Sequence, residues 1–208
     1  VDENDTHIVT TVRQIEDLYG QPGLASVKKV IDHLHPVYQE LIKASPFAVL
    51  ATRGSDGLDV SPRGDEPGFV TIEDEKTLLI PDRRGNNRAD SLKNIVRNPE
   101  VSLLFLIPGV GETLRVNGKA KISVDPELIH RFAMGDKLPR SVMVIRVDRV
   151  MFQCSRAVVR SKIWDPSTHV SRTDLPSTGT ILEALTECEI EAETYDRELP
   201  SRVQQTLY

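Results

Sequence analysis

The sequence predicts a mainly β protein, a small and mostly antiparallel barrel with helices at its periphery. Three observations predict it. From Ser45 to Phe152, short runs of valine, isoleucine, leucine and phenylalanine are broken by glycine, proline, asparagine and aspartate at turn spacing. Helical patterns flank these runs, and one or two are inserted between them. The 208 residues, 39% hydrophobic and 27% charged, hold core material for one elaborated domain or two small ones. About six strands of this kind favour closure, because a closed sheet has no edges free to pair with another chain.

The chain opens with a helical preface. Val12, Ile15, Leu18 and Tyr19 recur at helical spacing, and Gly20 with Pro22-Gly23 ends that element. Val27, Val30, Ile31, Leu34, Val37, Tyr38, Leu41 and Ile42 then predict one amphipathic helix over Ser26 to Ala44, kinked at Pro36. Phe47 to Thr52 and Leu58 to Ser61, joined through Asp56-Gly57, read as a hairpin. Gly68 to Ile72 and Thr77 to Ile80 form a second pair across a charged turn. A helix follows from about Arg88 to Arg97, with Asn86 or Asn87 as its cap and Asn98-Pro99 as its stop. Val101 to Ile107, Leu114 to Ile122 and Val142 to Phe152 are the remaining strands, and Asp125-Pro126 starts a short inserted helix. Beyond Asp174, one apolar helix with Ile181, Leu182 and Leu185 precedes a polar stretch. That tail is too poor in apolar residues to fold alone and is expected to wrap its own barrel or a partner. The division is a helical extension at 1–44, a barrel at 45–166 and a tail at 167–208.

Charge and composition exclude several classes. Lysine and arginine total 26 against 31 acidic residues, and a net charge of -5 argues against nucleic acid as a partner. No apolar run approaches the roughly 20 residues that span a bilayer, and Val1 to Asp5 lack the features of a signal peptide. A cytoplasmic protein with no membrane partner is the expectation. Two cysteines make neither a disulfide framework nor a four-cysteine zinc site, and five histidines show no metal spacing. His33 and His35, two apart on the predicted helix, do not face together. Cys154, ahead of a helix near Ser155, reads as a packed small residue, with a thiol activated by the helix start and Arg156 as the alternative, and Trp164 as a core or interface anchor, with stacking on a cofactor ring as its alternative. Any chemistry is therefore expected from a borrowed cofactor.

Three segments carry binding chemistry. Arg83-Arg84-Gly85-Asn86-Asn87-Arg88 sets three arginines before a helix start, with Ser91 one turn inside. Free N–H groups, a partial positive charge and guanidinium forks make a phosphate cradle there; a solvated basic loop is the alternative. In Val60-Ser61-Pro62-Arg63-Gly64, proline should force the chain out of the sheet and aim Arg63 at something anionic or planar, unless it only pairs with Asp65 or Glu66. Arg115, Asn117 and Lys119 share one strand face, which could be solvated, line an interface or border a ligand.

The order of these pieces resembles a family. Thr77 through Ser91, then Asn98-Pro-Glu-Val-Ser-Leu-Leu-Phe105 and Asn117-Gly-Lys-Ala120, is similar to pyridoxamine 5'-phosphate oxidase-like FMN-binding split-barrel proteins. Ser61-Pro-Arg-Gly-Asp65, Pro67-Gly-Phe-Val70, Ile80-Pro-Asp-Arg83 and Glu112-Thr-Leu-Arg-Val-Asn-Gly118 resemble an FMN-dependent flavoprotein branch of it. The resemblance covers about Ser45 to Pro166. It implies a six-stranded split barrel that forms a homodimer with FMN at the subunit interface. Arg88 and Ser91 would hold the FMN phosphate, with Asn86 and Asn87 at the same helix start. Val60, Ser61, Pro62 and Arg63 would run beside the ring or ribityl chain, and Ile80, Pro81 and Asp82 would border the ring. Thr113, Leu114 and Arg115 would approach the cleft, from the same subunit or from the second one. Arg63 or a backbone N–H near Ser61 would tune the flavin. An FMN-dependent oxidoreductase acting on a small molecule, with NAD(P)H or oxygen as redox partner, is implied; a protein that sequesters or senses FMN is the alternative. The phosphate loop is longer than in true pyridoxamine phosphate oxidases and their closing tryptophan and arginine motif is missing, so the vitamin B6 substrate is not implied.

Overall fold

A computed structural model describes residues 7–208. The expectation about Val1 to Asp5 lies outside the described residues. Helices α1 (Val12–Tyr19), α2 (Leu24–Lys28) and α3 (Pro36–Ala44) precede the sheet. Thr11 caps α1 in a reciprocal pair with Gln14, and Gly20, at φ 69°, ends it. The single kinked helix predicted over Ser26 to Ala44 is two helices. Ile31, between them, instead exchanges backbone hydrogen bonds with Val150. Pro36 does not kink a helix but starts one, because its missing N–H costs nothing at the first helical position. His33 and His35 consequently sit outside a helix, ring centroids 6.2 Å apart.

The sheet contains β1 (Phe47–Gly54), β2 (Gly57–Gly64), β3 (Thr71–Asp74), β4 (Thr77–Pro81), β5 (Glu100–Leu106), β6 (Thr113–Ser123) and β7 (Val142–Gln153). Seven strands are present where about six were expected, and all pairings are antiparallel in the order β2-β1-β5-β6-β7-β4-β3. Closure is incomplete. Strands β2 and β3 are the two ends, and the barrel is split between them. Pro62 does not force the chain out of the sheet, since β2 is an edge strand with only one neighbour and the register runs through Val49↔Pro62 and Ala48↔Arg63.

Alternation along each strand builds the core. Leu50, Leu103, Phe105, Leu114, Val116 and Ile145 point inward and are fully buried. Each such side chain contributes about 1.5–3 kcal/mol of transfer free energy. Leu34, Tyr38 and Ile42 close one end from α3 and its approach, and Ile95 joins from α4 (Asp90–Arg97). A register shift falls at Asn117/Gly118, where a Cβ on Gly118 would lie 2.2 Å from the carbonyl oxygen of Arg146. Only glycine fits that approach.

Helix α5 (Pro126–His130) has Asp125 as its cap, as predicted, accepting from the Glu127 N–H at 3.0 Å. Helix α6 (Arg156–Ser161) follows Cys154, which is exposed and not packed as expected because the chain leaves the sheet there. Trp164 is half-buried and its indole N–H donates to the Val110 carbonyl at 2.8 Å. The tail forms α7 (Thr178–Leu185) and α8 (Ala192–Gln205). The second of these was expected only as a polar stretch; Ala192, Tyr195, Leu199 and Val203 make a thin apolar line at helical spacing, and the helix docks against α7 at Gly179, whose N–H donates to Asp196 at 2.7 Å. No helix among the described residues is long and apolar enough to cross a membrane.

Candidate functional site

Splitting the barrel leaves a cleft between the inward face of β2, the segment after β4 and the start of α4. Alternation on β2 sends Asp59, Ser61 and Arg63 into it. From β4 the chain continues through Asp82 to Ala89, and Asp82 is held by its N–H to the carbonyl of Ser141, which brings Arg140 alongside. The cleft has a volume of about 490 Å³, within the usual range for small-molecule sites. Five arginines line it, Arg63, Arg83, Arg84, Arg88 and Arg140, against Asp59, Asp82 and Asp90. In a chain of net charge -5 that local excess is an anion-seeking field.

The basic segment is held in a costly shape. Asn87 and Ala89 lie at φ 63° and 54°, the left-handed region, where a residue with a Cβ loses about 1–3 kcal/mol. Ala89, and not Asn86 or Asn87, is the N-cap of α4, and no side chain caps its first N–H groups. Asn86 instead accepts from the Arg88 N–H at 3.1 Å, and Asn87 accepts from Arg140 at 2.9 Å. Both asparagines therefore shape the loop while the helix start stays open to an anion. Ser91, buried on the first turn, shares a hydrogen bond with Ser61 at 3.0 Å, tying α4 to β2 across the cleft.

Two polar groups are out of balance. The Nε of Arg63 is buried with no hydrogen-bond partner, and such a donor costs about 1–3 kcal/mol unless a ligand satisfies it. Asp82 is raised above the ordinary carboxylate range by burial, with Arg63 and Arg140 pulling it partly back. Arg88 is paired with Asp90 at 2.7 Å, which keeps it charged, and its remaining guanidinium donors are uncommitted.

A second cavity of about 340 Å³ adjoins the first and shares Pro62, Arg63 and the segment Asp82 to Gly85 with it. Ile80, Pro81 and Phe69 form its apolar wall, and Tyr208 lies against it from the tail.

A family model described as pyridoxamine 5'-phosphate oxidase matches residues 34–154, more than half of the chain. The chain belongs to the pyridoxamine 5'-phosphate oxidase family. The seven-stranded sheet is that family's split barrel, and the match spans every strand and the whole basic segment. Solved structures are similar at low identity. A HupZ variant from Group A Streptococcus is 21% identical over 58% of this chain and 99% of its own, with a TM-score of 0.49. General stress protein 26 from Bacillus anthracis is 17% identical over 55% and 88%, at 0.43. A FAD-binding protein from Mesorhizobium loti is 15% identical over 59% and 96%, at 0.39. No curated protein matches the chain significantly.

Within this family barrel the predicted site residues separate into two groups. Ser61, Pro62, Arg63, Asp82, Asn86, Asn87, Arg88 and Ser91 line the first cleft, and Ile80 and Pro81 the second. Val60 points to the opposite face of β2 and is 62% exposed. Thr113, Leu114 and Arg115 lie on β6, with β1 and β5 between it and β2. Leu114 is in the core, and Arg115 faces outward, touching Met151 sulfur at 3.1 Å with its Nε buried and unpaired. Sequence reasoning did not single out Asp59, Arg140 or Tyr208 for the site. Arg140 arrives only through the β4–β7 pairing, and Tyr208 carries no local signal. Among the described residues no group of His, Cys, Asp or Glu is arranged to hold a metal ion.

Proposed function

We propose that the protein is an FMN-dependent oxidoreductase acting on a small molecule. One observation carries the reading: a cleft lined by five arginines, with an uncapped helix start and a buried, unpaired arginine Nε, in an acidic chain. Those features fit a phosphorylated, planar cofactor. Arg88, Ser91 and the first N–H groups of α4 would hold the phosphate, with Asn86 and Asn87 shaping the loop around it. Arg63 would meet a polar edge of the cofactor, and Ile80, Pro81 and Asp82 would border its ring. Bound there, FMN would supply two-electron transfer at N5, with NAD(P)H or oxygen as the redox partner. The chain would bind, orient and partly desolvate it.

A homodimer belongs to the same proposal. The outward face of β2-β1-β5-β6-β7 presents Val60, Phe47, Val49, Leu104 and Met151, with Arg115 and its unpaired Nε among them. A second copy on that face would cover the apolar patch and could bring Thr113 to Arg115 toward its partner's cleft. A monomer in sedimentation with FMN bound would contradict the interface.

The cofactor test compares FMN with riboflavin, which lacks the phosphate. Arg88→Ala should weaken FMN by about 1.5–3 kcal/mol, the worth of a charge-assisted contact, and leave riboflavin unchanged. Unchanged FMN affinity would remove the phosphate role. Turnover is tested separately: flavin absorbance that NAD(P)H bleaches and an acceptor restores supports the enzyme, whereas binding without turnover across a donor panel supports sequestration.

A further inference from the structure

The second cavity is bounded on one side by a residue 143 positions away in sequence. Tyr208, beyond α8, reaches back to the barrel and donates its phenol O–H to Asp65 Oδ1 at 2.8 Å. Its ring lies 5.7 Å from the Arg83 guanidinium, and its carbonyl accepts from Lys137 at 3.2 Å. The anchor itself is built into the fold. Asp65 is 7% and Arg83 20% exposed at the side chain; Arg83 Nε donates to Asp65 at 3.3 Å and its Nη1 to the Phe132 carbonyl at 2.7 Å. The Glu66 N–H also donates to Asp65 at 2.9 Å, so this carboxylate receives three donors and is fixed in place. Hydrogen bonding to Asp65 also shifts the phenol upward from its ordinary value.

This polar anchor sits at the rim of an otherwise apolar wall of Phe69, Ile80 and Pro81. Helix α8 docks on α7 through Gly179 and Asp196, and it is Tyr208 that carries the tail to the wall of this cavity. We propose that Tyr208 is a specificity-determining residue: it bounds the cavity whose Ile80–Pro81 wall would border the flavin ring, and it limits the size of molecule that reaches the bound flavin. The proposal rests on the flavin reading above. Tyr208 acts by occupying space and is held by Asp65 and Arg83; it takes no part in holding the phosphate, which lies with the other cleft.

The test measures acrylamide quenching of bound-flavin fluorescence, together with FMN affinity, for the full chain and for Tyr208→Ala and Tyr208→Phe. Expected is a several-fold larger quenching constant for Tyr208→Ala, an intermediate value for Tyr208→Phe, which keeps the ring and loses the Asp65 anchor, and an FMN affinity close to the parent in both. FMN bound equally with quenching unchanged in Tyr208→Ala would overturn the proposal and leave the flavin reading standing. No FMN bound by the parent chain would overturn both.

Discussion

Replacing Arg63 by methionine separates a ligand-binding arginine from a structural one by the sign of two effects. In the free protein Arg63 carries a buried Nε donor without a partner on the inward face of β2, opposite Ala48. That orphan costs about 1–3 kcal/mol, so an apolar side chain of similar length should leave the free protein as stable as the parent or more so. Asp82 loses one of its two attracting cations and shifts further upward, which takes back part of the gain. With cofactor the sign reverses. Loss of a charge-assisted hydrogen bond weakens binding by about 1.5–3 kcal/mol, roughly 10- to 150-fold. Thermal melts with and without FMN read both terms. At FMN one hundred times the parent dissociation constant, the parent gains about 2.7 kcal/mol and Arg63→Met about 0.3–1.3 kcal/mol. A variant destabilised without FMN and stabilised by FMN as fully as the parent would refute the reasoning, because Arg63 would then be satisfied within the fold.

Three further outcomes are expected. Gly118→Ala puts a Cβ against the Arg146 carbonyl at the β6–β7 bulge and should cost about 1–3 kcal/mol, roughly 2–12 °C in a thermal melt; an unchanged melt would mean the bulge relaxes freely. Gly179→Ala meets the Ala192 carbonyl at 2.3 Å and should undock α8 from α7, read as faster amide exchange confined to the tail and the Tyr208 contact. The native state binds the Asp82 proton to higher pH than the unfolded chain does, so stability falls as pH rises through that range and stays lowered above it. Asp82→Asn should therefore melt higher than the parent at neutral pH and match it well below about pH 4, where the Asp82 carboxyl is protonated in both the folded and the unfolded chain; a lower neutral-pH melt would show that the attraction of Arg63 and Arg140 outweighs burial.

Strand positions were legible because a half-buried strand must alternate, and the runs at Phe47, Thr77, Val101, Leu114 and Val142 all became strands. The basic segment was legible for another reason. Three arginines within six residues stand out in an acidic chain whatever the fold. Local reading failed where long-range contacts override it. Ile31 has helical spacing, yet its backbone pairs with Val150 and splits the predicted helix. Pro62 has turn chemistry, yet an edge strand tolerates a missing donor. Asn86 and Asn87 are good helix caps, yet their side chains turn to Arg88 and Arg140 and leave the start of α4 uncapped.

What the sequence determined by itself was the material of a split barrel and one basic loop, since both are encoded by neighbours within a few residues. The tertiary structure alone decided which cations face one cleft. Arg63, Arg88 and Arg140 meet there because β2 ends the sheet, α4 packs beside it, and the β4–β7 ladder carries Arg140 across. It also brought Tyr208 to Asp65. No periodicity records such a meeting, because it depends on how strands far apart in sequence pair in space.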